Sequence, residues 1–139
     1  MRWFRWKRSP KDDSASTDAG FGELAPGQVW IYDTREGEET SRAIILLIEH
    51  GTRHGDIAHI ALRNVRISNP GRQPPVIDVV GHLPIAEEHA RASLRVLEGA
   101  GPVPEFRDGY QQWKDDQGGV WTIPLKEVVS ALEQALASA

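Results

Sequence analysis

A chain of 139 residues, 40% hydrophobic and 26% charged, has the size and mixture of one globular domain and not of a disordered or fibrous chain. It holds no cysteine, which excludes disulfides, a thiolate nucleophile and every cysteine-based zinc or iron–sulfur site. The formal charge of −4 is unevenly spread: the first eleven residues carry five basic groups and no acid, leaving 11 basic against 20 acidic groups, or −9, on the other 128.

An acidic body is a poor partner for nucleic acid, whose binders show a basic face. No apolar run approaches the roughly 20 residues that a membrane-spanning helix needs, and no apolar stretch follows the basic start as a secretory signal requires. The expectation is a soluble, cytoplasmic protein. Residues 1–25 read as a tail and linker, because Ser9 to Gly22 has too little apolar content to offset its ordering entropy. At its tip Trp3, Phe4 and Trp6 alternate with Arg5 and Arg8. That mixture suits weak, salt-sensitive contact with an anionic membrane surface, or docking into an acidic groove of a protein partner. The simpler reading is a basic start with no role.

The domain is expected to span 26–139. Val29 to Tyr32 is a strand by its β-branched and aromatic content. Asp33 to Arg42 is a charged loop, and the uniformly apolar Ala43 to Ile48 a central strand covered on both faces. His50 to Gly55 turns the chain into a third strand, Ile57 to Ile67. In it Ile60 and Leu62 fall on one parity and Val65 and Ile67 on the other, so a bulge is predicted near Arg63–Asn64. Ser68 to Pro75 is a loop, since three prolines and a glycine forbid a ladder. Val76 to Val80 follows as a fourth strand.

Two segments, His82-Leu83-Pro84-Ile85 and Thr122-Ile123-Pro124-Leu125, place a proline where a first helical turn would begin. They predict helices over roughly 84–98, ending at Gly99, and from Leu125 to Leu136, where the apolar residues repeat at helical spacing. Between them Pro104 to Asp116 reads as a short helix and Val120 to Ile123 as a last strand. Short strands joined by loops too brief for crossovers imply an α+β fold. The sheet is expected to be antiparallel and strongly curved, with four to five strands and two to three helices on one side. An SH3-like barrel is its closed variant.

Catalytic motifs are missing. No serine has a G-x-S-x-G context, and no glycine-rich phosphate loop precedes a helix. No cofactor or metal is expected. Without cysteine a metal would need several of His50, His54, His59, His82 and His89, and none shows a strong ligand spacing. His59, in mid-strand, and His82, at a strand-to-helix junction, are placed to converge. A core-edge pair bonded to backbone is the simpler account of them.

The loop carrying Arg35, Glu38, Glu39 and Arg42 is a solvated charged hairpin or a recognition loop anchored by strands at both ends. In the segment 105–114, Trp113 is expected in the core and Tyr110 at the rim of an interface. The runs GQVWIYDTREGEETSR, HIAL, GHLPI, GYQQWK and GVWTIPLKEVV, with Asn69-Pro70 between them, resemble a family of small bacterial single-domain proteins of uncharacterised function. The resemblance covers residues 27–137 and departs in the Gly71–Pro75 loop. It implies a bacterial, self-contained domain.

The leading expectation is therefore a non-enzymatic protein-binding domain, in the manner of an immunity or antitoxin protein that neutralises a basic partner. Its binding residues would be Arg35, Glu38, Glu39, Arg42, His59, Asn69, His82 and Tyr110. The rivals are a small metal-dependent or His/Glu acid–base hydrolase, with His59, His82 and Glu38 or Glu39, and a peripheral membrane protein attached through residues 1–8.

Overall fold

The computed structural model describes residues 22–139. The tail residues Trp3, Phe4, Arg5, Trp6 and Arg8 lie outside them. Eight elements follow in order: β1 (Gln28–Tyr32), β2 (Arg42–Thr52), β3 (Gly55–Ser68), β4 (Val76–Ala86), α1 (Glu87–Ser93), β5 (Leu94–Ala100), α2 (Arg107–Asp115) and α3 (Leu125–Ala137). The strands form one five-stranded antiparallel sheet in the order β4-β3-β2-β1-β5, so the α+β class holds. The sheet is open, with β4 and β5 at its edges, and is not closed as in an SH3-like barrel. Among the described residues no helix is long and apolar enough to cross a membrane.

Both faces of the sheet are covered, because β2 is apolar on both. On one face Ile45, Ile48, Ala58, Ile60 and Leu62 pack with Ala90 of α1 and Leu125, Val128 and Val129 of α3. On the other Ile44, Leu46, Leu47 and Ala61 pack with Phe106 and with Tyr110 of α2. Helices on one side only are thus corrected to helices on both. Leu24, N-terminal to Pro26, belongs to the first cluster and is 7% exposed.

The bulge in β3 is present. Asn64 takes φ 62° and the β3–β4 register shifts between Arg63 and Ile67. Asparagine tolerates this left-handed conformation better than most residues. The shift lets Ile60, Leu62, Val65 and Ile67 all bury in one cluster.

Two expectations after β3 are corrected. Pro84 does not start a helix: β4 runs through it to Ala86, and Pro84 lies opposite His59. Trp121 N–H donates to Pro84 O and Ala86 N–H to Trp121 O. That side of Pro84 therefore faces away from β3, and its missing N–H costs the ladder no bond. Trp121 makes only an isolated bridge to Ile85, where a last strand was expected.

The helix expected over 84–98 is α1 alone, seven residues long, and Leu94 to Ala100 is a strand. Helical spacing places Ala90 and Ser93 inward on α1, and Leu94, also buried, continues them. Beyond Leu94 the outer ladder of β1 competes for the chain and wins. Ser93 also ties α1 to α3: its hydroxyl donates to His89 O and accepts from the N–H of Leu125. One of the orphan donors at the start of α3 is thereby satisfied.

Candidate functional site

The hairpin register builds the most elaborate polar cluster. The tight turn at Thr52–Gly55 sets β2 against β3 with Leu47 opposite His59 and Glu49 opposite Ile57. Opposite residues in an antiparallel pair share a face, so Glu49 and His59 point to the same side, beneath α2. His59 is fully buried. Its Nε2 lies 2.7 Å from Glu49 Oε1 and its Nδ1 2.9 Å from Nε2 of His82, which β4 supplies.

A carboxylate only accepts, so His59 Nε2 carries the proton; in the neutral ring Nδ1 then accepts from His82 Nε2–H. The Tyr110 hydroxyl donates to Glu49 as well. Tyr110 and Trp113 stand edge-on to His59, each with ring centroids 5.1 Å away, and Phe106 stacks on His82. Gly109 lets α2 come this close, since a Cβ there would sit 3.1 Å from His82 Cβ.

Burial dominates the electrostatics. It lowers the pKa of His59 below the ordinary value, against the pull of Glu49. Burial, with the neighbouring charge of His59, lowers His82 to about 4. Burial and then Glu49 push Tyr110 up to about 12. At neutral pH the histidines are uncharged and the tyrosine keeps its proton.

The convergence of His59 and His82 follows the sequence reading; Tyr110, expected at an interface rim, packs against them instead, and their carboxylate is Glu49 and not Glu38 or Glu39. Glu49 was legible as the one charged residue ending the apolar run of β2; pairing β2 with β3 around the tight turn would have put it beside His59.

The other candidate residues lie elsewhere. Glu38, 2% exposed, accepts two hydrogen bonds from Arg35 (2.8 and 2.9 Å) and one from the Arg66 N–H at 2.7 Å. Arg35 also reaches Glu133 of α3 at 2.9 Å. This pair pins the 33–42 loop to β3 and α3. Arg35 and Glu38 line a shallow cleft of about 300 Å³ with Arg66, Ser68, Val76 and Glu133, so the loop meets the Ser68 end of the 68–75 loop there.

Glu39 is exposed and accepts from the Gly37 N–H. Arg42 bonds Glu98 of β5 at 2.9 and 3.2 Å. Asn69 is buried and closes its own loop by donating to Pro74 O. None of these five, Arg35, Glu38, Glu39, Arg42 and Asn69, belongs to the histidine cluster. No protein-family model matches the chain, and comparison with curated proteins and with solved structures finds no significant similarity.

Proposed function

We propose that this chain is a non-enzymatic binding domain that takes up an extended, basic segment of a protein partner along the outer edge of β5. The observation that supports it is the exposure of that edge. After the buried Leu94, all six residues from Arg95 to Ala100 are exposed, with Val96 53% and Leu97 47% accessible.

Edge strands are normally blunted by lysine, proline, bulges or a covering segment, because their open N–H and C=O groups template further pairing. Between Leu94 and Ala100 there is neither lysine nor proline; the strand does carry two irregularities, where the register against β1 skips Arg95 and Glu98, and Val96 and Leu97 lie between them. An added strand gains main-chain hydrogen bonds and covers Val96 and Leu97. The opposite edge is less available, since Trp121 already bonds to the outer side of β4 at Pro84 and Ala86.

The −9 charge of residues 12–139 favours a basic partner and speeds encounter with one. That is the logic of an immunity or antitoxin-like protein. The test is affinity capture by the full chain beside Val96→Lys and Leu97→Lys, followed by amide exchange on the captured complex. Capture lost in both variants, with β5 amides newly protected in the wild type, supports the reading. No captured protein, or equal capture by the variants, refutes it.

A second reading rests on the Glu49–His59–His82 chain, whose order carboxylate, imidazole, imidazole suits acid–base hydrolysis. It ranks lower for two reasons. His82, titrating near 4, is a weak base at neutral pH, and the rings of Phe106, Tyr110 and Trp113 close over the pair. Ester hydrolysis faster than free imidazole, and lost in His82→Gln, would reverse the order.

A further inference from the structure

The register that gathers the histidine cluster on one face of the sheet sets a second row of polar side chains on the other. Glu49 lies opposite Ile57, and Ile57 opposite Ala86. One step outward, where the β2–β3 register shifts between Glu49 and Thr52, His50 of β2, Asp56 of β3 and Glu87 at the start of α1 come together across three adjacent segments. His50 Nδ1 lies 3.4 Å from Asp56 Oδ2, and one ligand-type atom from each of the three residues lies within 4.8 Å of the other two.

Two features of this row point to a ligand. First, Asp56 and Glu87 set like charges on neighbouring segments, an arrangement that is destabilising unless a cation offsets it. Arg91 offsets part, through Nε to Glu87 Oε2 at 3.1 Å. Second, the carboxylates are held from behind, as metal ligands commonly are. Asp56 Oδ1 accepts the Gly51 N–H at 2.9 Å, which leaves Oδ2 turned to His50. The row borders an open cleft of about 490 Å³ that Asp56 and Glu87 line together with His54, Glu88 and Thr122.

We propose that His50, Asp56 and Glu87 form a binding site for a divalent transition cation of the zinc class. One imidazole and two carboxylates are a ligand set that zinc accepts, with bonds of about 2.0–2.2 Å. Tetrahedral ligands at that length lie roughly 3.3–3.5 Å apart. The His50–Asp56 spacing already meets this, and Glu87, whose ligand atom lies within 4.8 Å of both, would have to turn toward them from its bond to Arg91. His54 and Glu88 line the same cleft and could supply a fourth ligand. This site is independent of the β5 edge and of the Glu49–His59–His82 chain.

The experiment is calorimetric titration of the full chain with Zn²⁺, with Co²⁺ as a spectroscopic probe, beside His50→Ala, Asp56→Asn and the control His89→Ala. Far-UV circular dichroism and the metal-free Tm verify that each variant is folded; His50 and Asp56 are exposed, so both should be. The expected result is one equivalent bound by the wild type and by the control. A d–d band of tetrahedral intensity should accompany Co²⁺, and affinity should fall at least about tenfold in His50→Ala and in Asp56→Asn. Absence of stoichiometric binding by the wild type, or binding of undiminished affinity in either variant, overturns the proposal.

Discussion

His59 and His82 meet with Nδ1 of the first 2.9 Å from Nε2 of the second, and their rings are inclined by only 12°. One proton lies between them and another between His59 and Glu49, so protonating either ring adds charge beneath an aromatic cover. Burial lowers the folded pKa of His82 to about 4 from the ordinary histidine value of 6.5, and that of His59 is also lowered by burial. Between these limits the unfolded chain binds more protons than the native one, so stability rises with pH through that window. The contribution is complete above about 6.5 and is lost as the pH falls toward 4.

For the half-buried His82, solvent screening reduces the effect to about 1–2 kcal/mol between pH 7 and 4.5. Urea unfolding at pH 7.0, 5.5 and 4.5 measures it. His82→Gln, which keeps an N–H for His59 without a titrating ring, should flatten the slope; an equally steep slope in that variant would place the titration elsewhere.

How much of this was legible in the sequence depended on the range of the forces involved. The bulge at Asn64 could be read because it follows from parity within a single strand. The final helix could be read because Leu125, Val128, Val129, Leu132 and Leu136 repeat locally. Pro84 and Leu94–Ala100 were misread for a shared reason. Each carries a respectable helical signal, and each is claimed by a partner distant in sequence: β3 and Trp121 for Pro84, β1 for β5. The site divided in the same way. His59, His82 and Tyr110 stood out by residue type, whereas Glu49 joins them only through hairpin register.

The Arg35–Glu38 pair gives a second prediction. Arg35→Ala leaves a buried carboxylate with its Arg66 N–H bond but without its counter-charge, and should cost about 3–5 kcal/mol. The double variant Arg35→Met, Glu38→Leu removes both charges and should recover most of that loss. Chemical denaturation of the wild type, the single and the double variant closes the comparison. A single variant no less stable than the double would mean that the loop does not depend on the ion pair.

Gly27 gives a third. It takes φ +93°, and a Cβ on it would lie 2.5 Å from the carbonyl oxygen of Gly101. Its N–H donates to Ile45 O and its own oxygen accepts from the Gly101 N–H, so it joins β1, β2 and the end of β5. Gly27→Ala combines left-handed strain with a backbone clash and should cost about 2–4 kcal/mol. Gly37→Ala, at φ +90° with no atom within 4 Å of its Cβ, should cost only the conformational part, about 1 kcal/mol. Thermal unfolding of the two variants side by side separates the clash from the strain.

Glu49 carries the last prediction, because it is bonded to two groups with different alternatives. His59 is fully buried and, among the described residues, its Nε2–H is bonded to Glu49, whereas Tyr110 is partly exposed and has access to water. Glu49→Ala strands the imidazole N–H in the interior, and an unsatisfied buried donor costs about 1–3 kcal/mol. Tyr110→Phe removes a donor and leaves Glu49 bonded to His59, so it should cost about 1 kcal/mol or less. Nitrogen-15 spectra of the imidazoles at pH 7 report which ring nitrogen holds the proton. Both His59 and His82 should be Nε2–H tautomers in the wild type and in Tyr110→Phe. In Glu49→Ala nothing holds the proton on His59 Nε2, and the tautomer population of His59 should become mixed. A His59 that keeps a single Nε2–H tautomer without Glu49 would show that the proton order is set by His82 and not by the carboxylate.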